Sequence, residues 1–155
     1  MSNIHVRLAQ PADRPSLADL FHALWPKGPV EEHSLELEAI LSGNAPGTLP
    51  LVVFVAEAID HSLRGFIEVG RRSHADSCDP ALPVGYVEGW FVVEGHRRSG
   101  IGKRLMVAAE DWARSQGCVE MASDTQIDNT LSQRVHQSLG FQIVERAVLF
   151  RKPLR

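Results

Sequence analysis

The stretch from Val84 to Gln116 constrains this chain more than any other. A long strand-like run, Val84-Gly85-Tyr86-Val87-Glu88-Gly89-Trp90-Phe91-Val92-Val93, is interrupted by glycines of the kind that mark a bulge, and it stops at Glu94-Gly95. From Gly100 to Gln116 the period changes: Ile101, Leu105, Ala108, Ala109 and Trp112 recur at helical spacing, and Gly117 is placed to end the helix. Between strand and helix lies Arg97-Arg98-Ser99-Gly100-Ile101-Gly102. Glycines there let the backbone turn sharply, so that several N–H groups point at one spot beside the positive end of the helix. Arg97, Arg98, Lys103 and Arg104 add cationic side chains, and a pyrophosphate is the natural ligand of such a site. Two nucleotide motifs do not fit. A P-loop needs Ser or Thr after its lysine, where Arg104 follows Lys103, and the dinucleotide fingerprint needs a third glycine where Leu105 stands.

The other segments supply the rest of an α/β domain. Ile4 to Leu8 alternates as a half-buried strand, and Pro11-Ala12-Asp13 opens a helix through Leu17, Leu20, Phe21 and Leu24, with Asp13 as N-cap. Glu32 to Leu41 is a second helix, stopped by Gly43, and a Gly/Pro-rich loop runs to Pro50. Leu51–Glu57 and Leu63–Val69 form a hairpin around Asp60 and His61. After the central helix, Cys118 to Ala122 is a buried strand, Asn129 to Leu139 a helix ended by Gly140, and Phe141 to Lys152 one or two closing strands. The expected fold is a single domain over residues 1–155, its central sheet mixed and mostly antiparallel, with flanking helices.

With 155 residues, 44% of them hydrophobic, the chain can fill one core without metal or disulfide staples. A net charge of -3 and scattered basic residues argue against a nucleic-acid surface. Cys78 and Cys118 have no metal-ligand spacing, no metal is expected, and Met1 to Arg7 carries no apolar signal segment, so a reduced, cytoplasmic setting is expected. No apolar run approaches the roughly 20 residues of a membrane helix.

Arg97, Gly100 and Gly102 satisfy the Gln/Arg-x-x-Gly-x-Gly/Ala motif, and with the order of elements and Leu139-Gly140-Phe141 the chain resembles the GNAT acetyltransferases over nearly its whole length. It is similar in particular to the aminoglycoside 6'-N-acetyltransferases. The strings that carry this are Leu24-Trp25-Pro26, Val87 to Val92, Glu120-Met121-Ala122-Ser123-Asp124-Thr125, Asn129-Thr130-x-Ser132-Gln133, Val135-His136-Gln137-x-Leu139-Gly140-Phe141 and Glu145-Arg146. The resemblance implies acetyl-CoA as co-substrate, held by Arg97, Arg98, Ser99, Gly100, Ile101 and Gly102. Backbone groups of Trp90, Phe91 and Val92 would meet its pantetheine arm, and Asn129 would also contact it. It implies a polycationic amine lined by Trp25, Glu88, Asp124 and Glu145. His74 takes the place of a tyrosine frequent in the family before Cys78, and Lys27-Gly28 stands where some relatives have a histidine. Such relatives are commonly homodimers, and Arg146 to Lys152 is the segment expected to pair across two chains.

Acetyl transfer to an amine requires an acceptor for the amine's proton, and Glu88 and Asp124 are the candidates, directly or through water. His136 stands where many GNAT enzymes have a tyrosine that protonates the leaving thiolate; it either does that work or packs on its helix. Asp76, Asp79 and Asp128 either add to an acidic cleft or are solvated loop charges. Trp25 either faces a sugar ring or anchors the core. The alternatives weighed against the main reading are a GNAT enzyme for another small amine, polyamine or protein N-terminus, and a non-catalytic acetyl-CoA sensor.

Overall fold

The structure, a computed structural model, describes residues 3–43 and 49–155. Most of the Gly/Pro-rich loop expected before Pro50 lies outside the described residues. Contacts within the chain define two units, Met1–Ser123 and Asp124–Arg155.

The first unit holds a five-stranded sheet in chain order: β1 (His5–Leu8), β2 (Leu51–Glu57), β3 (Leu63–Arg72), β4 (Val84–Val92) and β5 (Met121–Ser123). The first four strands pair antiparallel and β5 joins β4 in parallel, the mixed, mostly antiparallel sheet expected. The helices α1 (Arg14–Leu24) and α2 (Val30–Leu41) cover one face. There Leu17, Ala18 and Phe21 of α1 and Leu37 and Ile40 of α2 pack on Val53, Val55 and Phe66. Successive strand residues point to opposite faces. Next to Phe66, a Cβ on Gly65 would therefore meet Leu105 of the helix α3 (Ile101–Ser115), which covers the other face. The apolar stripe of α3, Ile101, Leu105, Met106, Ala109 and Ala113, is buried.

Several boundaries differ from expectation. A 3-10 turn at Pro11–Asp13 precedes α1, and Asp13 does not cap the helix with its side chain. Its carboxylate instead accepts from the Gln10 N–H at 2.7 Å and from both terminal nitrogens of Arg7, at 2.7 and 2.9 Å. α2 begins at Val30, behind the extended Pro29. Cys118 is buried, but its N–H closes the end of α3 by donating to the Ala113 carbonyl, so β5 starts only at Met121.

The second unit holds one helix, α4 (Thr130–Ser138), with Asn129 as N-cap. The closing strands expected within Phe141 to Lys152 do not form: no strand is present among the described residues of this unit. A strand is held by the ladder on its neighbour, and the unit offers none. Val148, Leu149 and Phe150 follow one another instead of alternating with polar residues, and all three are exposed.

Arg7 joins three elements, since it also bonds Glu57 of β2 at 2.8 Å. The guanidinium holds the Asp13 and Glu57 carboxyls below the usual carboxylate range. A carboxyl with a lowered value contributes stability at neutral pH and loses it as pH falls through that value. Arg7→Met is therefore expected to lower the melting temperature at about pH 7, with the gap to wild type shrinking toward about pH 3, a comparison that thermal denaturation across pH provides.

Candidate active site

The geometry of the site starts from one irregularity in β4. Glu68 of β3 pairs with Gly89, whereas its neighbour Val69 pairs with Val87, so Glu88 is the extra residue of a bulge. The Val93 N–H donates to the Arg64 carbonyl, and by the alternation of an antiparallel ladder Phe91 and Gly89 also turn their backbone groups toward β3. Trp90 and Val92 then aim N–H and C=O at the opposite edge. In accord with this, the Val92 carbonyl accepts from Arg97 Nε at 2.9 Å. Pairing with β5 ends at Val87 and Ser123, so within this unit Trp90 and Val92 lie on an edge that β5 does not cover.

The Phe91 side chain packs toward the α1/α2 core, 6.3 Å from the Phe66 ring. Trp90 lies on the other face, where a Cβ on Gly102 would come within 3.3 Å of the indole. The start of α3 is thus pressed against β4.

Arg97 to Gly102 forms the turn into α3 as expected. Arg98 and Gly100 both take left-handed backbone, with φ of 65 and 84, a costly conformation for an arginine. Gly100 is the N-cap, its carbonyl accepting from the Arg104 N–H, and Ser99 Oγ donates to the His96 carbonyl. The first-turn N–H groups of a helix have no intrahelical acceptor, so α3 presents donors beside Arg97, Arg98, Lys103 and Arg104. Arg97 is aimed by its bond to Val92 and lies over the Phe91 ring, 5.6 Å from its centroid. This arrangement fits a pyrophosphate.

The α1/α2 face carries both Glu88 and Trp25. Arg72 grips both Glu88 oxygens, Nε to Oε2 at 3.0 Å and Nη2 to Oε1 at 2.6 Å, while stacking on Tyr86. Trp25 ends α1 before Pro26 and lies edge-on to Phe21, with ring centroids 5.2 Å apart. Its carbonyl bonds His33 Nε2 at 2.9 Å, and its indole covers Gly89 so closely that a Cβ there would lie 2.3 Å from Cη2. Trp25 therefore anchors the core through one edge while remaining only half-buried. His74 is exposed in the loop after β3, 2.9 Å from Ser73 Oγ. Asp76 is exposed, and Asp79 serves its own turn by accepting from the Ala81 N–H.

Glu68 was not among the expected site residues. Its side chain shares the face of Phe66 and is 4% exposed, and Oε2 has no hydrogen-bond partner. Burial, with Glu36 and Glu88 nearby, pushes its carboxyl up to about 8. The sequence carried a signal: Glu68 follows Phe66 by two residues in an alternating strand, which places an acid on the core face.

In the second unit, Asn129 Oδ1 accepts from the Ser132 N–H at 3.0 Å, which commits its oxygen to the cap and leaves its amide nitrogen for other contacts. His136 Nδ1 lies 2.7 Å from the Ser132 carbonyl, a contact that places a proton on Nδ1, and its ring meets Phe141 at 5.2 Å. With that tautomer a neutral His136 has no proton on Nε2, so it can act as an acid there only as imidazolium. Asp124, directly after β5, Asp128 and Glu145 are exposed. No cluster of three or more His, Cys, Asp or Glu fit to hold a metal occurs among the described residues. None of their helices is long and apolar enough to cross a membrane.

A strand that bulges and turns its backbone to an edge that β5 does not cover, followed by a turn that gathers helix N–H donors and cationic side chains, suits an extended ligand with an anionic end. The GNAT acetyltransferase family matches residues 15–141, and the chain belongs to that family. Among its relatives, an aminoglycoside N(6')-acetyltransferase type 1 from Klebsiella aerogenes is 41% identical over 149 residues, 96% of each chain. A structure of AAC(6')-Iy in complex with the bisubstrate analogue CoA-S-monomethyl-acetylneamine is 36% identical, with a TM-score of 0.88, covering 99% of this chain and 100% of that one. A second structure of that enzyme, in complex with CoA, is 35% identical with a TM-score of 0.89, covering 99% of this chain and 97% of the other.

Two outcomes follow from the α1/α2 face. Gly89→Ala drives a methyl into Trp25 and is expected to cost about 1–3 kcal/mol, with a red-shifted tryptophan emission as the indole is displaced; denaturation and fluorescence measure both. Glu68 keeps its proton in the fold to about pH 8 but ionises near 4.5 in the unfolded chain. Folding therefore takes up a proton, and stability falls as pH rises between those values. Glu68→Gln removes this dependence, so its melting temperature should gain on wild type across that window.

Proposed function

We propose that this chain transfers the acetyl group of acetyl-CoA to the 6'-amine of aminoglycoside antibiotics, and thereby confers resistance to them. The observation that carries the reading is the 41% identity to an aminoglycoside N(6')-acetyltransferase over 96% of both chains, supported by an α1/α2 face that carries Trp25, Glu68 and Glu88.

In this reading residues 1–155 act as one acetyltransferase domain. Arg97, Arg98, Ser99, Gly100, Ile101 and Gly102 bind the pyrophosphate of acetyl-CoA. The backbone of Trp90 and Val92, turned to the edge of β4, meets the pantetheine arm, with Phe91 supporting the strand from the core. Asn129 adds a contact through its amide nitrogen. Trp25, His74, Glu88, Asp124 and Glu145 bind the drug, whose several ammonium groups are drawn by carboxylates.

The 6'-nitrogen forms a bond to the acetyl carbon as the bond from that carbon to sulfur breaks. The nitrogen gives up a proton and the departing thiolate takes one. Asp124 or Glu88, directly or through water, accepts the first, and His136 as imidazolium supplies the second. Positioning provides much of the acceleration, because the amine is a competent nucleophile once neutral and aligned. The enzyme works in the cytoplasm without a metal, as a homodimer in which Arg146 to Lys152 of two chains pair.

With acetyl-CoA, tobramycin and kanamycin are expected to gain one acetyl group each, seen as thiol release and product mass. Paromomycin, which has a hydroxyl in place of the 6'-amine, should not turn over comparably. Turnover of spermidine or a peptide N-terminus in place of any aminoglycoside would overturn the substrate assignment. Cofactor binding with no turnover would overturn catalysis.

A further inference from the structure

The buried acid Glu68 has no use in the scheme above, and its surroundings give it one. It lies opposite Gly89, under the strand position that Trp25 covers, and next in register to the bulge that displaces Glu88. Glu36 on α2 and Glu88 on β4 are near enough to oppose its charge, and the other titratable groups of this face are His33 on α2, His22 on α1 and Arg72 on its own strand. β2 contributes Val53 and Val55 to the core of this face, neither of them a counter-charge. The only full-time cation in that set, Arg72, is already spent on both oxygens of Glu88. Glu68 thus sits 4% exposed, with Oε2 unpartnered, among like charges. A carboxyl in such a place stays a neutral acid until a cation arrives, because an unpaired buried charge is costly.

We propose that Glu68 is a specificity-determining acid of the amine site: it is protonated while the site is empty and gives its proton to solvent when a polycationic substrate binds, adding a negative charge under Trp25 and Glu88. The substrate's ammonium groups supply the missing counter-charge, and the face carries its full negative charge only with a cation present. An uncharged or singly charged amine draws out less of that charge, so discrimination in favour of polycations is built into the core of the sheet.

This inference rests on the reading of the site as one for aminoglycosides, and the experiment separates the two. Tobramycin is titrated into the enzyme with CoA, which cannot react, by calorimetry at about pH 7 in buffers of different ionisation enthalpy. The drug's own amines draw protons from buffer in every variant, so the comparison between variants is what counts. Glu68→Gln, which mimics the protonated acid in shape, is expected to take up about one more proton per tobramycin than wild type and to raise the KM for tobramycin about tenfold, with kcat changed less, the scale of one unit charge at protein-surface dielectric. Glu68→Asp keeps an acid and should restore the release. Tobramycin binding with the same proton count and KM in wild type and Glu68→Gln would overturn the role of Glu68 and leave the substrate assignment standing. Failure of wild type to bind tobramycin would overturn the assignment itself, and this role with it.

Discussion

The extra residue at Glu88 is the constraint on which the rest of the site depends. Without it β4 would keep one phase, and the backbone that bonds β5 at Gly85 and Val87 would continue at Gly89 and Phe91. The bulge shifts that phase by one, so Gly89 and Phe91 bond β3 while Trp90 and Val92 turn to the edge that β5 leaves after Val87. One inserted residue thereby ends a strand pairing and leaves the backbone of a half-buried strand segment turned away from both neighbouring strands. The same shift brings the Glu88 carboxylate within reach of Arg72, whose residue is opposite Val84 in the ladder.

Around that strand the charges are divided. The turn into α3 gathers Arg97, Arg98, Lys103 and Arg104 at the positive end of a 15-residue helix, suited to phosphates. The α1/α2 face gathers Glu36, Glu68 and Glu88, suited to ammonium groups. A small net charge of -3 conceals this separation, because opposite signs cancel in the sum while remaining apart in the fold. A small net charge is compatible with a surface that is cationic at one place and anionic at another.

What the sequence made legible was whatever local chemistry dictates. The change of period between Val92 and Ile101 located the anion-binding turn, and the glycines of β4 announced the bulge. Membership of the GNAT family was legible in Arg97, Gly100 and Gly102, and the residue matches carried it. Less legible was anything set by a partner element. Asp13 has the chemistry of an N-cap, but Arg7, six residues away and itself tied to Glu57 on β2, draws the carboxylate off. The strands expected after Phe141 rested on β-branched and aromatic content, which reports a capacity to pair and not a neighbour to pair with. Glu68 belongs to the same class: its strand has the content of an ordinary apolar strand, and the burial of the acid is set by the helices packed on that face.

The double grip of Arg72 bears on how labour is divided among the carboxylates. With Oε1 and Oε2 each bonded to the guanidinium, Glu88 is held in one orientation and offers its remaining lone pairs to an incoming ammonium. To accept a proton it would have to weaken a charge-assisted bond that fixes it in place. Binding and orienting the cation leaves that bond intact, and an orienting carboxylate gains from rigidity. In the proposed scheme the proton then passes to Asp124 or to water, while Glu88 keeps the charge-assisted bond that orients it. In that scheme Glu88 is a fixed anion for the substrate, held in place by Arg72, which itself stacks on Tyr86.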